Sequence, residues 1–298
     1  MDQFFLEISV AKNLALLLAG LGLALGVLHA LIRWSLRAPR LTESSTPRTK
    51  ALAYADQRIP SSNGKQLAAW FIPAAVRGPA PALVLLHGWG GNMETMLPLV
   101  LPLHCAGYTL LLFDARSHGG SDQDTFSSMP RFAEDLEHAL DWLKRRPEVD
   151  PRRIGVVGHS VGAAAALLVA SRRDDLSAVV SIAAFSHPRT MMRRLLAAWR
   201  VPYIPFGWYV LLYVQHVIGH RFDDIAPINT IARARCPVLL VHGTDDLTVP
   251  VAEAEALHAR LGAGRGGLLL VKGSHDRYEE LDRQIGDVVA FLEHSMKS

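Results

Sequence analysis

Short, nearly continuous apolar runs recur along the chain, each closed by glycine, proline or polar turn residues. They lie at Ala82–Leu86, Ile154–Val157, Val179–Phe185, Cys236–His242 and Leu268–Lys272. Runs of this length without strict apolar/polar alternation fit strands buried on both faces. Helix-forming stretches separate them, the clearest being Val161–Arg173, which is alanine-rich and ends in two arginines. Strands alternating with helices from residue 80 onward predict an α/β fold with a mostly parallel sheet flanked by helices. The rhythm breaks between Phe185 and Ile228, where the connection is too long for a simple helix-to-strand return. Residues 186–228 are therefore expected to form a helical cap insertion.

Two longer apolar stretches stand outside this rhythm. Leu14–Ile32 runs 19 residues without a formal charge, and as a helix it would reach about 28 Å, close to the hydrocarbon thickness of a bilayer. Asp2 and Glu7 outnumber Lys12 ahead of it, and the run is long for a cleavable signal peptide. It has no polar face suited to a soluble amphipathic helix. The reading is an N-terminal segment, residues 1–32, whose transmembrane helix occupies 14–32. Arg33, Arg37, Arg40, Arg48 and Lys50 follow it against Glu43 alone, which puts the remainder on the cytoplasmic side. Residues 33–50 read as a juxtamembrane linker, and 51–298 as the main domain. The second stretch, Val201–Gly219, is also uncharged and carries five aromatics. Pro202, Pro205 and Gly207 argue against a second span, so Trp208 and Leu212 become candidates for a substrate-binding or membrane-dipping face of the cap.

Composition narrows the classes of function. A chain of 298 residues that is 50% hydrophobic can bury a large single core. Lys plus Arg exceed Asp plus Glu by only 31 to 28, too little to predict a nucleic-acid partner. Cys105 and Cys236 read as buried small apolar residues and imply no disulfide framework. The 13 histidines lack metal-ligand spacing, so neither a metal nor a cofactor is expected.

The candidate chemistry centres on Gly158-His159-Ser160-Val161-Gly162, placed between an apolar strand and an alanine-rich helix. A serine becomes a useful nucleophile when it stands clear of its backbone, near a base, with amide N–H groups ready for an oxyanion. G-x-S-x-G at a strand-to-helix turn provides this, with the Val161 N–H at the helix N-terminus. Downstream, the strand ending at His242 is followed by Gly243-Thr244-Asp245-Asp246, and the next by Gly273-Ser274-His275. Serine, acid and histidine thus come in the order that such a site requires. Upstream, His87-Gly88-Trp89-Gly90-Gly91-Asn92 forms a glycine-rich loop suited to presenting a second N–H. His87, His118, His159 and His242 flank glycines in turns and read as loop-packing residues.

On these motifs, with FDARSHGGS (Phe113–Ser121) and HGTDDLTVP (His242–Pro250) added, the chain resembles the α/β-hydrolase superfamily over most of residues 52–295. Its likeness is greatest to bacterial esterases and serine-aminopeptidase-like hydrolases. The resemblance implies Ser160 as nucleophile, His275 as base, and Asp246 rather than Asp245 as the orienting acid. It implies the N–H groups of Trp89 and Val161 as oxyanion hole. Ser117 departs from the family's frequent R-G-H-G, in a loop whose role is structural. The function expected is a membrane-anchored serine hydrolase acting on carboxylic esters with apolar or lipid-like acyl groups, in a bacterial inner membrane with its catalytic domain in the cytoplasm. A thioesterase, amidase or peptidase with the same triad, or a non-catalytic membrane-tethered binding module, are the alternatives.

Overall fold

A computed structural model describes residues 2–262, 264–277 and 281–297. In chain order its main elements are α1 (Asp2–Ser35), β1 (Ala55–Pro60), β2 (Gln66–Ile72), β3 (Ala80–Leu86), α2 (Leu97–Cys105), β4 (Thr109–Phe113), α3 (Met129–Leu143) and β5 (Val149–His159). There follow α4 (Val161–Ala170), β6 (Ala178–Ile182), α5 (Pro188–Ala198), α6 (Trp208–Ile218), and the short α7 (Phe222–Ile225) and α8 (Pro227–Thr230). The chain closes with β7 (Val238–Gly243), α9 (Val251–Arg260), β8 (Gly266–Val271) and α10 (Leu281–Ser295). Among the described residues eight strands form one sheet in the order β1-β2-β4-β3-β5-β6-β7-β8. The pairs β1–β2 and β2–β4 are antiparallel and the others parallel.

The apolar runs that predicted strands are buried on both faces, and alternate residues feed two cores. Val84, Leu86, Val156 and Val179 pack with α3, α4 and α9 on one side. Leu83, Leu85, Val157 and Val180 pack with α2 and α10 on the other. This period-2 division lets each strand join two helix layers. The α4 alanines are fully buried, because a small side chain at each position lets the helix lie close against β5 and α3.

Within 186–228 lie α5, a tight turn at Tyr203–Gly207, α6, α7 and the start of α8. The uncharged run 201–219 is thus broken by its prolines into a turn and an 11-residue helix. Outward from the core it presents Ile204, Phe206, Trp208 and Leu212, at 77%, 60%, 53% and 45% exposure.

Within Ser9–Ser35 an 18-residue stretch reaches a mean hydropathy of 2.3, and the segment is long and apolar enough to cross a membrane. Its final turns dock on the main domain. Ile32 is buried, with Leu28 and Leu36 packed beside it, and His29 stacks on Tyr213 of α6 at 3.9 Å between ring centroids. The following residues, read from sequence as a linker, lie along the loops after β3 and β4. Cys105 differs from expectation: it is exposed, while Cys236 is buried. The buried positions of α2 are Leu97, Leu99, Val100 and Leu103, and Cys105 ends the helix off that stripe.

Candidate active site

The turn from β5 into α4 places Ser160 in a conformation that side chains rarely adopt, φ 53° and ψ −115°. Such strain persists where its surroundings over-determine it. Here the Ser160 N–H donates to the Ile182 carbonyl at 2.8 Å, and its own carbonyl accepts from the Ala164 N–H at 3.0 Å. The glycines two residues to either side leave no room for more. A Cβ on Gly158 would lie 2.5 Å from the Gly162 oxygen, and one on Gly162 would lie 2.4 Å from the His87 oxygen. The helix therefore starts in contact with both its own strand and the loop after β3.

Two further strand ends converge on this serine. His275, in the loop after β8, places Nε2 3.0 Å from Ser160 Oγ and Nδ1 2.7 Å from Asp246 Oδ2. Asp246 follows β7, and its Oδ1 accepts the N–H groups of Thr248 at 2.9 Å and Val249 at 2.8 Å. A carboxylate only accepts, so the Nδ1 facing it carries the ring proton, and Nε2 is left to accept from the serine hydroxyl. Asp245 is exposed, and its backbone N–H donates to the Gly273 carbonyl at 2.9 Å. It orients the loop, and its side chain takes no part in the relay.

The loop after β3 passes directly beside the serine, since a Cβ on Gly88 would lie 3.1 Å from the Ser160 Cβ. Trp89 follows with its indole partly exposed, while Val161 opens α4. Both N–H groups proposed from sequence thus belong to segments that meet at Ser160. Trp208 and Leu212 stand apart from this hydrogen-bonded group, on the exposed side of α6.

Several loop histidines hold the frame. His87 is fully buried; its Nε2 accepts the Ala115 N–H at 3.0 Å, and its Nδ1 donates to the Gly88 oxygen at 2.7 Å. Burial pushes its pKa down to about 4, which keeps Nε2 free to accept. His118 is pushed to about 3, first by burial and then by His87. His159 Nε2 donates to the His275 carbonyl at 2.9 Å. That bond ties the His275 backbone to the turn that bears Ser160, a role the glycine-flanked sequence context did not reveal. His242 Nε2 likewise donates to the Val249 oxygen at 2.7 Å and steadies the turn that bears Asp246.

Beneath the loop after β4, Arg116 is buried. Its Nε donates to Asp135 Oδ1 at 2.7 Å, and its backbone N–H donates to Oδ2 at 2.8 Å. Burial raises the Asp135 pKa despite the guanidinium beside it. Among the described residues, His159, His275 and Asp276 offer ligand atoms within 4.8 Å of one another. A cation there would draw His275 away from Ser160 or Asp246, so the arrangement suits the hydrogen-bonded relay better than a metal.

The profile of the alpha/beta hydrolase family matches residues 83–290. Among similar proteins are the uncharacterised Rv2307c of Mycobacterium tuberculosis, 28% identical over 77% of this chain and 75% of its own length, and YfhR of Escherichia coli K12, 28% identical over 75% and 76%. The alpha/beta hydrolase domain-containing protein WAV2 of Arabidopsis thaliana is 28% identical over 73% and 70%. Of solved structures, the esterase Pf2001 of Pyrococcus furiosus superposes with a TM-score of 0.71 at 24% identity, over 87% of this chain and 99% of that one. Est1E of Butyrivibrio proteoclasticus gives 0.64 at 19%, over 82% and 99%.

Proposed function

The chain belongs to the alpha/beta hydrolase family, and from that premise we propose that it is a membrane-anchored serine hydrolase cleaving carboxylic esters with apolar or lipid-like acyl groups. The observation that carries this reading is the relay Ser160–His275–Asp246, with contacts of 3.0 and 2.7 Å. Ser160 Oγ attacks the ester carbonyl as its proton passes to His275 Nε2, and Asp246 stabilises the imidazolium that results. The carbonyl oxygen, now an alkoxide, is received by the N–H groups of Trp89 and Val161. As the tetrahedral intermediate collapses, His275 returns the proton to the departing alcohol and an acyl-Ser160 remains. Water, deprotonated by the same nitrogen, releases the carboxylic acid. No step calls for a cofactor.

The apolar α1 supports the anchor, and the outward apolar residues of the cap support a lipid-like substrate. His29, within the apolar run, stacks on Tyr213 and has its Nε2 2.5 Å from the Tyr209 hydroxyl. Arg33 Nε donates to the Tyr213 hydroxyl at 3.0 Å. With α1 in a bilayer, α6 would lie at the boundary between headgroups and acyl chains, where tyrosine and tryptophan are favoured. The arginines after α1 favour a cytoplasmic domain.

The test is covalent labelling with a fluorophosphonate, together with turnover of a water-soluble p-nitrophenyl ester by full-length protein in detergent micelles. Ser160→Ala should abolish labelling and lower kcat by at least about 10³-fold, with an unchanged melting temperature. Labelling that persists in the variant would reject Ser160 as nucleophile.

A further inference from the structure

The segment between α1 and β1 grips the loops after β3 and β4, the first of which passes beside Ser160. Leu36 accepts the Ser127 N–H at 2.9 Å. The Pro39 ring rests on Gly90, where an added Cβ would come within 2.8 Å of Pro39 Cγ. Arg40 donates from Nε to the Gly119 carbonyl at 2.7 Å and from Nη2 to the Ser121 carbonyl. The Leu41 carbonyl accepts from Asn92 Nδ2 at 3.4 Å. Ser44 donates from its backbone N–H and its hydroxyl to the two carboxylate oxygens of Glu94, at 2.6 and 2.7 Å. Gly90, Asn92 and Glu94 all belong to the loop that carries Trp89.

At the centre lies a pair of carboxyl groups. Asp114 is fully buried; its Oδ1 accepts the Met93 N–H at 2.7 Å and its Oδ2 the Gly120 N–H at 2.8 Å. It thus joins the loop after β3 to the loop after β4. Glu43 reaches the same point from the N-terminal segment, and a Cβ on Gly119 would strike both Asp114 Oδ2 and Glu43 Oε1. Two carboxylates so close repel unless one keeps its proton and donates it to the other.

We propose that residues 36–46 are a strap that positions the oxyanion loop, and that Glu43, held as a neutral acid donating to Asp114, is the positioning residue that locks it. The proposal rests on the serine-hydrolase reading and deepens it. It makes the N-terminal helix and the oxyanion hole one mechanical unit. The electrostatics agree: burial, followed by the Asp114 contact, raises the Glu43 pKa to about 7, and burial raises that of Asp114. Glu43 faces Asp114 from the loop after β4, with its own and the Gly120 backbone beside it, and Arg40 acts on Asp114 from the same segment as Glu43. His118 is neutral on the neighbouring turn.

The sign follows from a raised acid pKa. The lock is closed while Glu43 is protonated and opens as pH rises through about 7, when a second negative charge appears beside Asp114.

The experiment uses full-length protein in detergent micelles and a water-soluble p-nitrophenyl ester, with Ser160→Ala as control. Glu43→Ala should lower kcat by about tenfold, since a displaced oxyanion donor acts on the transition state more than on substrate binding, while KM stays within about twofold. Glu43→Gln keeps a neutral donor, so it should restore kcat at pH 6 and remove the fall in kcat expected of the natural protein above about pH 7. A Glu43→Ala enzyme with natural kcat, or a Glu43→Gln enzyme with an unchanged alkaline limb, would overturn the strap. If Glu43→Ala does not fold, the Glu43→Gln profile decides alone. Activity surviving in Ser160→Ala would instead reject the underlying hydrolase reading.

Discussion

Replacing Asp246 by asparagine changes a single group from oxygen to NH₂, and the structure dictates which way the amide must face. Asp246 Oδ1 accepts two backbone N–H groups, from Thr248 and Val249 at 2.9 and 2.8 Å. An NH₂ there would confront two donors, so the amide oxygen takes the Oδ1 place and the NH₂ takes the Oδ2 place, 2.7 Å from His275 Nδ1. Nδ1 must then accept, which moves the ring proton to Nε2. The nitrogen facing Ser160 Oγ becomes a donor and cannot act as base. A wrong tautomer in an otherwise intact triad costs about 10⁴-fold in kcat, equivalent to about 5.5 kcal/mol of transition-state stabilisation. The backbone bonds and the His242–Val249 bond survive, so the melting temperature should move by no more than about 1 kcal/mol of stability implies. Asp245→Asn alters an exposed side chain outside the relay and should leave kcat within about threefold. Steady-state kinetics on a soluble ester and a thermal melt measure both variants. The reasoning fails if Asp246→Asn, folded as the natural protein is, keeps more than about a hundredth of its kcat, or if Asp245→Asn falls as far.

Two other predictions test the frame and the membrane face. Arg116→Ala leaves Asp135 buried without its guanidinium, so chemical denaturation should show a loss of about 3–5 kcal/mol; a loss below about 1 kcal/mol would show that Asp135 is content as a neutral acid. Full-length protein should remain in membranes through carbonate and high salt. Replacing both Trp208 and Leu212 by glutamine should lower hydrolysis of long-chain esters in phosphatidylcholine vesicles by about tenfold, through lost interfacial burial. Turnover of soluble esters should be unchanged, and an equal fall on both substrates accompanied by a lower melting temperature would reject a membrane-facing cap.

What the sequence made legible followed from how many constraints acted on each segment. The runs at 82–86, 154–157 and 179–185 are apolar at nearly every position, Gly155 and Ser181 apart, because both sheet faces are covered. Their strand character was therefore visible without alternation. Ser160 was legible because Gly158 and Gly162 leave a local signature of close backbone approach. Spacing alone had to separate Asp245 from Asp246, and the structure places only the latter's side chain at His275. The strap left no such mark. Arg40 spends its hydrogen bonds on backbone carbonyls of Gly119 and Ser121, which no residue type announces. Glu43 meets a partner far along the chain, and a carboxylate beside a carboxylate is the opposite of the charge pairing that sequence patterns suggest. A composition rich in Ser, Thr, Pro and Arg made 33–50 read as a juxtamembrane linker. Cys105 was misread for a simpler reason: a helix of nine residues gives a stripe too short to say which side its last residue faces.

On the proposed reading, the difference between a linker and a strap matters for how substrate reaches Ser160. A flexible tether of about 18 residues would let the domain sample separations of roughly 23 Å from the bilayer, and a lipid substrate would have to cross water to enter. The contacts of Leu36, Pro39, Arg40 and Ser44 remove that freedom. His29 and Arg33 hold α6 against the last turns of α1, so α6 is registered to the same helix as the loop after β3. In a membrane-inserted chain the depth of α1 therefore fixes the height of both. An acyl chain leaving the bilayer beside α1 would meet the apolar residues of the cap before it met the relay, and the carbonyl it carries would arrive at a loop whose position α1 itself maintains.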